Sequence, residues 1–259
     1  MNRFRLAVLF VSTALLTCSY NSLGQNATDV YRTSDGGTRE VLESIFIPPI
    51  ANAPFSLTLE TEWSRPLNGG GSYALVNTRH IMRDSAGRIY QERWILVPKD
   101  GKIKSTMNWI QIADPEKHVY YNCGVENKVC SPRPYGDSTT KTYQPQIGTT
   151  GPLPDDAGTQ KHEDLGNGNT AGVMTVGYRD TKTINPGVFG NDQPMVTTRE
   201  FWYSPKLGFN MLSTLDSPQT GKQVFTVTEI TTDEPDPQFF SIPDGYTVVE
   251  TREPAKTQQ

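Results

Sequence analysis

The fold class is decided by a stretch in the second half of the chain, Glu200-Phe201-Trp202-Tyr203-Ser204-Pro205-Lys206-Leu207. Strand-forming aromatic residues end there at a Ser-Pro turn, and apolar residues resume directly after it. Short runs of the same kind alternate with proline, glycine and aspartate turns from Glu163 to Glu250. This alternation predicts antiparallel β-strands joined by tight turns.

The first half of the chain continues this pattern. Residues from Phe55 to Trp63 alternate between apolar and polar positions, which predicts a strand with one buried face. Further strands are predicted at 72–82, 88–97, 109–113, 118–123, 170–178, 179–184, 195–203, 207–214, 223–230 and 246–250. One short N-terminal helix is predicted at Thr38–Phe46, because its apolar residues share one helical face before Pro48-Pro49. The sequence therefore predicts a mainly β, mainly antiparallel protein.

A long Pro/Gly-rich insertion separates the two runs of strands. Residues 131–162 contain Pro132, Pro134, Pro145, Pro152 and Pro154 and few apolar side chains. Such a composition does not bury enough surface to offset the entropy of ordering the chain. We interpret 131–162 as a flexible linker or loop inside a single β-rich domain at 38–250. A mobile segment at 25–37 precedes this domain, and a polar tail at 251–259 follows it.

The N-terminus has the features of a secretory signal peptide at residues 1–24. Two arginines, at positions 3 and 5, precede an apolar run from Leu6 to Leu16, and small residues flank a cleavage point before Gln25. The run is too short for a membrane-spanning helix, and no second apolar segment follows. We expect a periplasmic or secreted protein without a transmembrane segment. The alternative is lipid anchoring at Cys18, because Leu15-Leu16-Thr17-Cys18 loosely resembles a lipobox.

The charge balance argues against a broad nucleic-acid surface. The chain has 24 basic and 28 acidic residues, for a net charge of −4. Removal of the two signal-peptide arginines leaves 22 basic residues against 28 acids, so the mature charge is −6. Nucleic-acid binding requires clustered lysine and arginine, so no nucleic-acid partner is expected.

The mature chain has two cysteines, Cys123 and Cys130, and their spacing predicts a disulfide. If Glu126-Asn127 is a two-residue turn, Gly124 faces Val129 and the cysteines face each other across two strands. An oxidising compartment favours a bond between them. The alternative, a metal site, has only His118 close by as a further ligand. We therefore expect no metal, and no cofactor is indicated.

No group of residues in the sequence has the pattern of a catalytic site. The candidate imidazole bases are His80, His118 and His162. His162 adjoins two acids, but it lies at the end of the predicted flexible stretch, where a preorganised site is not expected. The Gly-x-Ser-x-Gly and His-Glu-x-x-His motifs are absent. The sequence therefore predicts a non-enzymatic protein.

The candidate ligand-binding residues are large apolar side chains of the predicted sheet. They are Leu57, Leu59, Trp63, Trp94, Trp202, Phe209 and Phe225. Such residues line an apolar groove or form the buried core of a sheet, and alternation alone does not separate the two cases. An open groove would favour ligand binding. A filled face with exposed edge strands would favour interaction with another protein.

Several motifs of the second half carry a resemblance to known proteins. They are Glu163-Asp164-Leu165-Gly166, Ala171-Gly172-Val173, Thr183-Ile184, Gly190-Asn191-Asp192, Glu200-Phe201-Trp202-Tyr203-Ser204 and Asp236-Pro237-Gln238-Phe239-Phe240-Ser241-Ile242-Pro243-Asp244-Gly245-Tyr246. In their order and spacing the chain resembles a family of secreted bacterial proteins of unknown function. More distantly, it is similar to the periplasmic outer-membrane lipoprotein carrier and sorting family. That resemblance implies a strongly curved, half-barrel-like antiparallel sheet whose concave face holds acyl chains beneath a helical lid.

Two functional hypotheses follow from these observations. The first is an exported, non-enzymatic protein that binds a lipid or a lipoprotein acyl chain on the apolar concave face of its sheet. The second is an envelope structural or interaction protein that has no small-molecule ligand and contacts another protein through its sheet edges or its linker.

Overall fold

The computed structural model describes residues 45–99, 102–135 and 147–249. The predictions for the signal peptide, for Cys18, for segment 25–37, for most of the N-terminal helix and for the polar tail lie outside these residues. None of the helical turns in the described residues has the length and hydropathy of a membrane-spanning helix.

Strands dominate the described residues. They are β1 (Phe55–Pro66), β2 (Ser72–Arg83), β3 (Ile89–Lys99), β4 (Lys102–Asp114), β5 (Val119–Gly124), β6 (Val129–Pro134), β7 (Gly151–Pro152), β8 (Gly158–Thr170), β9 (Val173–Ile184), β10 (Met195–Ser204), β11 (Phe209–Ser217), β12 (Gly221–Thr231) and β13 (Thr247–Val248). Two single 3-10 turns accompany them, at Pro154–Asp156 and Pro237–Phe240. The two strands predicted at 170–178 and 179–184 are one continuous strand, β9, and Thr170 is the last residue of β8.

These strands form a single sheet in the order β13-β6-β5-β4-β3-β2-β1-β12-β11-β10-β9-β8-β7. Neighbouring strands are antiparallel, except that β13 runs parallel to β6. The sheet is curved and unclosed. The prediction of a mainly β protein with a curved antiparallel sheet is therefore confirmed.

The predicted helix lies outside the described residues except for its last two, and the predicted linker is corrected where the structure describes it. Ile45 and Phe46, the end of the predicted helix, have irregular backbone. Strand β6 continues to Pro134 and β8 begins at Gly158, so both ends of the 131–162 segment belong to the sheet. Strand β8 pairs with β9 along its length. Main-chain hydrogen bonds hold such a strand without many apolar side chains, which is why composition misidentified it. Residues 136–146 lie outside the described chain.

The predicted disulfide hairpin is confirmed. Cys123 pairs with Cys130 across β5 and β6, Gly124 pairs with Val129, and the two cysteines are bonded. The connecting turn is longer than predicted, because residues 125–128 all belong to it. Both cysteines are fully buried.

The main core lies on one face of the sheet, which we call the core face and which carries the alternate residues Phe55, Leu57 and Leu59 of β1. Its buried cluster consists of Ile45, Ile47, Phe55, Leu57, Leu59, Trp63, Ile81, Ile89, Ala113, Tyr120, Leu207, Phe209, Met211, Phe225 and Val227. On the opposite face, the outer face, a smaller cluster joins Tyr90 and Ile112 to Phe240 of the second 3-10 turn. That turn therefore packs against the outer face of β3 and β4.

A fully buried arginine fastens the irregular segment 45–53 to the sheet. Arg83 donates from Nη1 to the carbonyl of Pro48 at 2.7 Å and from Nε to that of Ala53 at 2.9 Å. Its Nη2 donates to the Leu207 carbonyl at 3.0 Å. The guanidinium also lies 4.9 Å from the ring centre of Phe55. Burial lowers the pKa of Arg83 to about 10, which leaves the side chain charged at neutral pH.

Candidate functional site

Five of the seven candidate ligand-binding residues come together on the core face. They are Leu57, Leu59, Trp63, Phe209 and Phe225, and each is between 0% and 3% exposed. All five belong to the main buried cluster. Strand pairing explains the convergence, because Leu59 pairs with Val227 and Thr61 with Phe225, so the alternate residues of β1 and β12 that include Leu57, Leu59 and Phe225 point to the same side.

The other two candidates, Trp94 and Trp202, lie on the outer face. Trp94 lies four residues after Tyr90 on β3, so its side chain points to the same outer face. Its indole N–H donates to Glu92 at 2.9 Å. Trp202 donates in the same way to Glu200 at 3.0 Å. Both rings are half-buried. Both tryptophans are therefore separate from the buried cluster of the core face, because alternate residues of a strand point to opposite faces.

Two glycines make room for the ring of Trp202. A Cβ atom at Gly168 would lie 2.4 Å from the ring, and one at Gly177 would lie 2.6 Å from it. The ring therefore lies flat against the backbone of β8 and β9. Beside it, Arg179 donates to Glu200 at 2.7 Å. Burial alone would raise the pKa of Glu200, but the bonds from Trp202 and Arg179 lower it.

The core face also has a polar half, which the apolar pattern did not reveal. It consists of the buried residues Arg79, Gln91, Arg93, Gln111 and Gln223. Arg93 Nε donates to Gln111 Oε1 at 2.7 Å. The Oε1 atoms of Gln91 and Gln223 are buried and have no hydrogen-bond partner within the described residues. The core face is therefore amphipathic, with apolar side chains on β1, β11 and β12 and polar ones mainly on β2, β3 and β4.

The alternation of β3 contains the signal for this polar half. Tyr90, Glu92 and Trp94 share one face, and Ile89, Gln91 and Arg93 share the other. The aromatic residues suggest that theirs is the core face, but the structure places Gln91 and Arg93 there. Aromatic residues are stable on either face of a sheet when a cover or a polar partner is present.

His162 lies in strand β8 rather than in a flexible segment. Its Nδ1 atom is 2.6 Å from Asp180 Oδ1, and its ring stacks on Tyr178 with the ring centres 5.8 Å apart. Asp180 also accepts a hydrogen bond from the Gly148 N–H at 3.3 Å. The Thr150 hydroxyl bonds the main chain of His162, not the ring. The pair therefore fastens residues 147–150 to the sheet, and we assign it no catalytic role.

Metal-ligating side chains are dispersed. Across 45–99, 102–135 and 147–249, no three His, Cys, Asp or Glu residues are grouped in a way that would hold a metal ion.

Comparisons with known proteins concern the fold only. No family model matches the chain, and no curated protein matches it. Among solved structures it is similar to an uncharacterized conserved protein from Thermus thermophilus, at 9% identity and a TM-score of 0.40, over 77% of this chain and 91% of that one. A chain of the Pseudomonas aeruginosa MucA/MucB complex is 14% identical, with a TM-score of 0.36, over 73% of this chain and 56% of that one.

A third similar structure is a putative outer membrane lipoprotein-sorting protein domain from Vibrio parahaemolyticus, at 9% identity and a TM-score of 0.17, over 72% of this chain and 89% of that one. Of the chain from the MucA/MucB complex, by contrast, this protein spans only about half the length. At these values the similarity carries no argument about function.

The carboxylate of Glu234 is hydrogen-bonded to Ser85, in the turn between β2 and β3, and we expect this pairing to make stability sensitive to acid. The Ser85 N–H donates to Glu234 Oε1 at 3.0 Å, and the Ser85 hydroxyl donates to Oε2. These bonds lower the pKa of Glu234 below its ordinary 4.5. Because the folded-state pKa is the lower one, the stabilisation is present above pH 4.5 and is lost as the pH falls through the folded-state value.

We therefore expect Glu234→Gln to reduce stability at pH 7 and to make the decline below pH 4.5 shallower. Urea unfolding at pH 7 and at pH 3 measures both effects. Glu229→Gln, at an exposed position of β12, is the control and should leave the decline unchanged. Equal acid sensitivity in Glu234→Gln and in the unmodified protein would contradict the assignment.

Proposed function

We propose that this is an exported, non-enzymatic protein of the periplasm or the extracellular space that binds a lipid or a lipoprotein acyl chain on the core face of its sheet. The observation that carries this proposal is the amphipathic core face. An apolar strip centred on Leu59 and Phe225 adjoins buried arginine and glutamine side chains. An acyl chain attached to a polar head has the same two-part chemistry.

The polar half supports an amphipathic ligand rather than a purely apolar one. Buried polar atoms without partners are costly, and a ligand or a water molecule that reaches them removes that cost. Gln91 and Gln223 each have such an acceptor oxygen. A hydroxyl or amide donor of a lipid head group would satisfy them while the acyl chain contacts the apolar strip.

The test is native mass spectrometry of the mature chain, purified from the periplasm without detergent, followed by organic extraction. We expect an adduct in the mass range of phospholipids or acylated peptides. Trp63→Ala should reduce the adduct, because Trp63 is in the core-face cluster. Trp202→Ala is the matched control, because it removes an indole from the outer face. An equal loss in both variants would place the ligand elsewhere.

The second candidate function is an envelope interaction protein with no small-molecule ligand. The observation that favours it is the near-complete burial of the core-face candidates, between 0% and 3% exposed. A face filled by its own side chains holds no ligand. A clean apo mass after challenge with phosphatidylglycerol and phosphatidylethanolamine vesicles would reject lipid binding and favour this function.

A further inference from the structure

Four strand connections lie at the same end of the sheet. Neighbouring strands are antiparallel all the way from β6 to β7. Strands β1, β3, β9 and β11 therefore stop at one end, and β2, β4, β10 and β12 start there. We call this the hairpin end of the sheet, and it holds the connections β1–β2, β3–β4, β9–β10 and β11–β12.

Exposed apolar side chains are grouped at the hairpin end. Leu67 lies in the β1–β2 connection and is 49% exposed, and Ile103, the second residue of β4, is 51% exposed. The β9–β10 connection contains Val188 at 41% and Phe189 at 68%. In the described residues one such side chain, Met174, lies near the opposite end. Single exposed apolar residues are common, but several at one end of a sheet are typical of a binding surface.

The opposite end of the sheet is covered by the chain itself. Segment 45–53 lies there, held by the three hydrogen bonds of Arg83. The Asn52 N–H also donates to the Ser85 carbonyl, in the turn between β2 and β3, at 2.9 Å. No segment of the described residues covers the hairpin end in this way, so the two ends of the sheet differ.

Val188 and Phe189 form the apex of a tight turn, which we call the β9–β10 tip. The Gly190 N–H donates to the Gly187 carbonyl at 3.2 Å and closes the turn. Glycine, proline, asparagine, aspartate and serine are the residues that favour such positions. A β-branched residue and an aromatic residue contribute nothing to the turn, so their presence at the apex indicates another role.

The side chain of Asn191 holds the β9–β10 tip in a fixed shape. Its Oδ1 atom accepts from the Phe189 N–H at 3.0 Å. Its Nδ2 atom donates to the carbonyls of Asn185 at 2.9 Å and Gln193 at 2.7 Å. The Asn185 N–H in turn donates to the Ala157 carbonyl at 2.9 Å. The apolar tip is thus ordered before it meets a partner, which lowers the entropic cost of binding.

Charges of both signs surround the apolar side chains of the hairpin end. Asp192 belongs to the β9–β10 connection, and Asp155 and Asp156 are exposed in the 3-10 turn beside it. Lys102 is exposed next to Ile103. A strongly acidic or strongly basic partner would be repelled at one connection or another. Apolar character is therefore what these connections share.

The proposed ligand face extends to the hairpin end. Trp63, three residues before the end of β1, pairs with Gln223 near the start of β12. The Trp63 indole N–H donates to the Thr220 carbonyl, in the β11–β12 connection, at 2.7 Å. The buried Oε1 atom of Gln223 has no hydrogen-bond partner within the described residues. A lipid that enters or leaves the core face at this end would pass the exposed apolar side chains.

We propose that the hairpin end docks onto the surface of a lipid bilayer, where Val188 and Phe189 insert among the lipids and Leu67 and Ile103 make further contacts. Lipids rearrange around apolar side chains, so a bilayer accommodates separate hairpins at the same time. The choice of a bilayer rests on the proposed function, since a protein that carries a lipid exchanges it with a membrane.

The first test is co-sedimentation of the mature chain with vesicles of phosphatidylethanolamine and phosphatidylglycerol. Val188→Ser with Phe189→Ser should weaken vesicle binding about tenfold, while the melting temperature stays unchanged because both side chains are exposed. Met174→Ser is the matched control and should bind like the unmodified protein. Equal vesicle binding by the double variant and the control, or no binding by the unmodified protein, would overturn the proposal.

Salt separates apolar insertion from charge attraction. Vesicle binding should persist at about 0.5 M salt, where exposed charges are screened over a few ångströms. Release of the unmodified protein from the vesicles at this salt concentration would show that charges hold it there, and would overturn insertion of the β9–β10 tip.

Insertion is measured directly with a polarity-sensitive fluorophore attached to Phe189→Cys. Cys123 and Cys130 are bonded to each other, so the label reacts with the new thiol. Vesicles should shift the emission to shorter wavelength, and the same label on Met174→Cys should not respond. An equal response at both positions, or a response at neither, would overturn docking through the hairpin end.

Docking and lipid binding fail separately in these experiments. A clean apo mass of the unmodified protein, together with vesicle binding that depends on Phe189, would overturn lipid binding and support docking. A lipid adduct in a protein whose vesicle binding does not depend on Phe189 would overturn docking alone. A concentration-dependent dimer in sedimentation velocity that is lost in the Val188→Ser, Phe189→Ser variant, without vesicle binding, would identify a second copy as the occupant and would also overturn docking.

Discussion

Replacing Arg83 by methionine is expected to lower the free energy of unfolding by about 4 kcal/mol, the range found when one partner of a buried polar network is removed. The methionine side chain replaces only the aliphatic stem of the arginine and is three heavy atoms smaller, so part of the loss comes from packing volume. The carbonyls of Pro48, Ala53 and Leu207 would each lose a hydrogen bond from a guanidinium that is fully buried. Urea unfolding monitored by tryptophan fluorescence measures the loss.

Two further variants identify the cause of the Arg83 effect. Arg83→Lys keeps the charge but not the planar fork of donors, so an intermediate loss is expected. Arg199→Met is the matched control, because Arg199 is half-buried and lies over the ring of Phe201 at 5.3 Å. Its cost should be below about 1 kcal/mol. An Arg83→Met protein as stable as the Arg199→Met control would show that segment 45–53 is held by other contacts.

Truncating Leu59 to alanine is expected to cost about 3 kcal/mol, because cavities of this size in a packed core cost roughly 2.7 to 5 kcal/mol. Leu59 is fully buried in the middle of the core-face cluster. Thr58→Ala, at the adjacent outer-face position, is the control and should change stability by less than about 0.5 kcal/mol. Denaturant unfolding of both variants provides the comparison.

The same pair of variants distinguishes a packed core from a ligand groove. If Leu59 contacts only other side chains, Leu59→Ala costs the same before and after organic extraction of the protein. If its contacts are made with a bound acyl chain, extraction removes most of the cost, because ligand binding itself contributes to apparent stability. A large cost that persists in extracted protein would favour the interaction function over lipid binding.

The sequence predicted the disulfide register well because its determinants are local. The turn between Cys123 and Cys130 is short, and antiparallel pairing then brings the cysteines together. The period-two alternation from Phe55 to Trp63 likewise predicted a strand and its buried face. Strand β8 was missed because its main chain pairs with β9, and such pairing leaves little trace in composition.

Trp94 and Trp202 show the limit of reading a site from hydrophobicity. Each was expected beside Leu57 and Phe225, and each lies on the opposite face with a glutamate as its hydrogen-bond partner. For the same reason hydrophobicity did not predict the position of Gln91, whose polar side chain is buried on the core face. The face that a strand residue occupies depends on which neighbours the strand meets.

By itself the sequence determined the β class, most of the strand positions and the Cys123–Cys130 bond, because alternation, turn residues and cysteine spacing act over a few residues. Only the tertiary structure decided which apolar residues converge, which arginine holds segment 45–53, and that Trp94 and Trp202 lie on the outer face. These features depend on contacts between residues far apart in the chain. Arg83 and Leu207, for example, are 124 positions apart and are joined by one hydrogen bond.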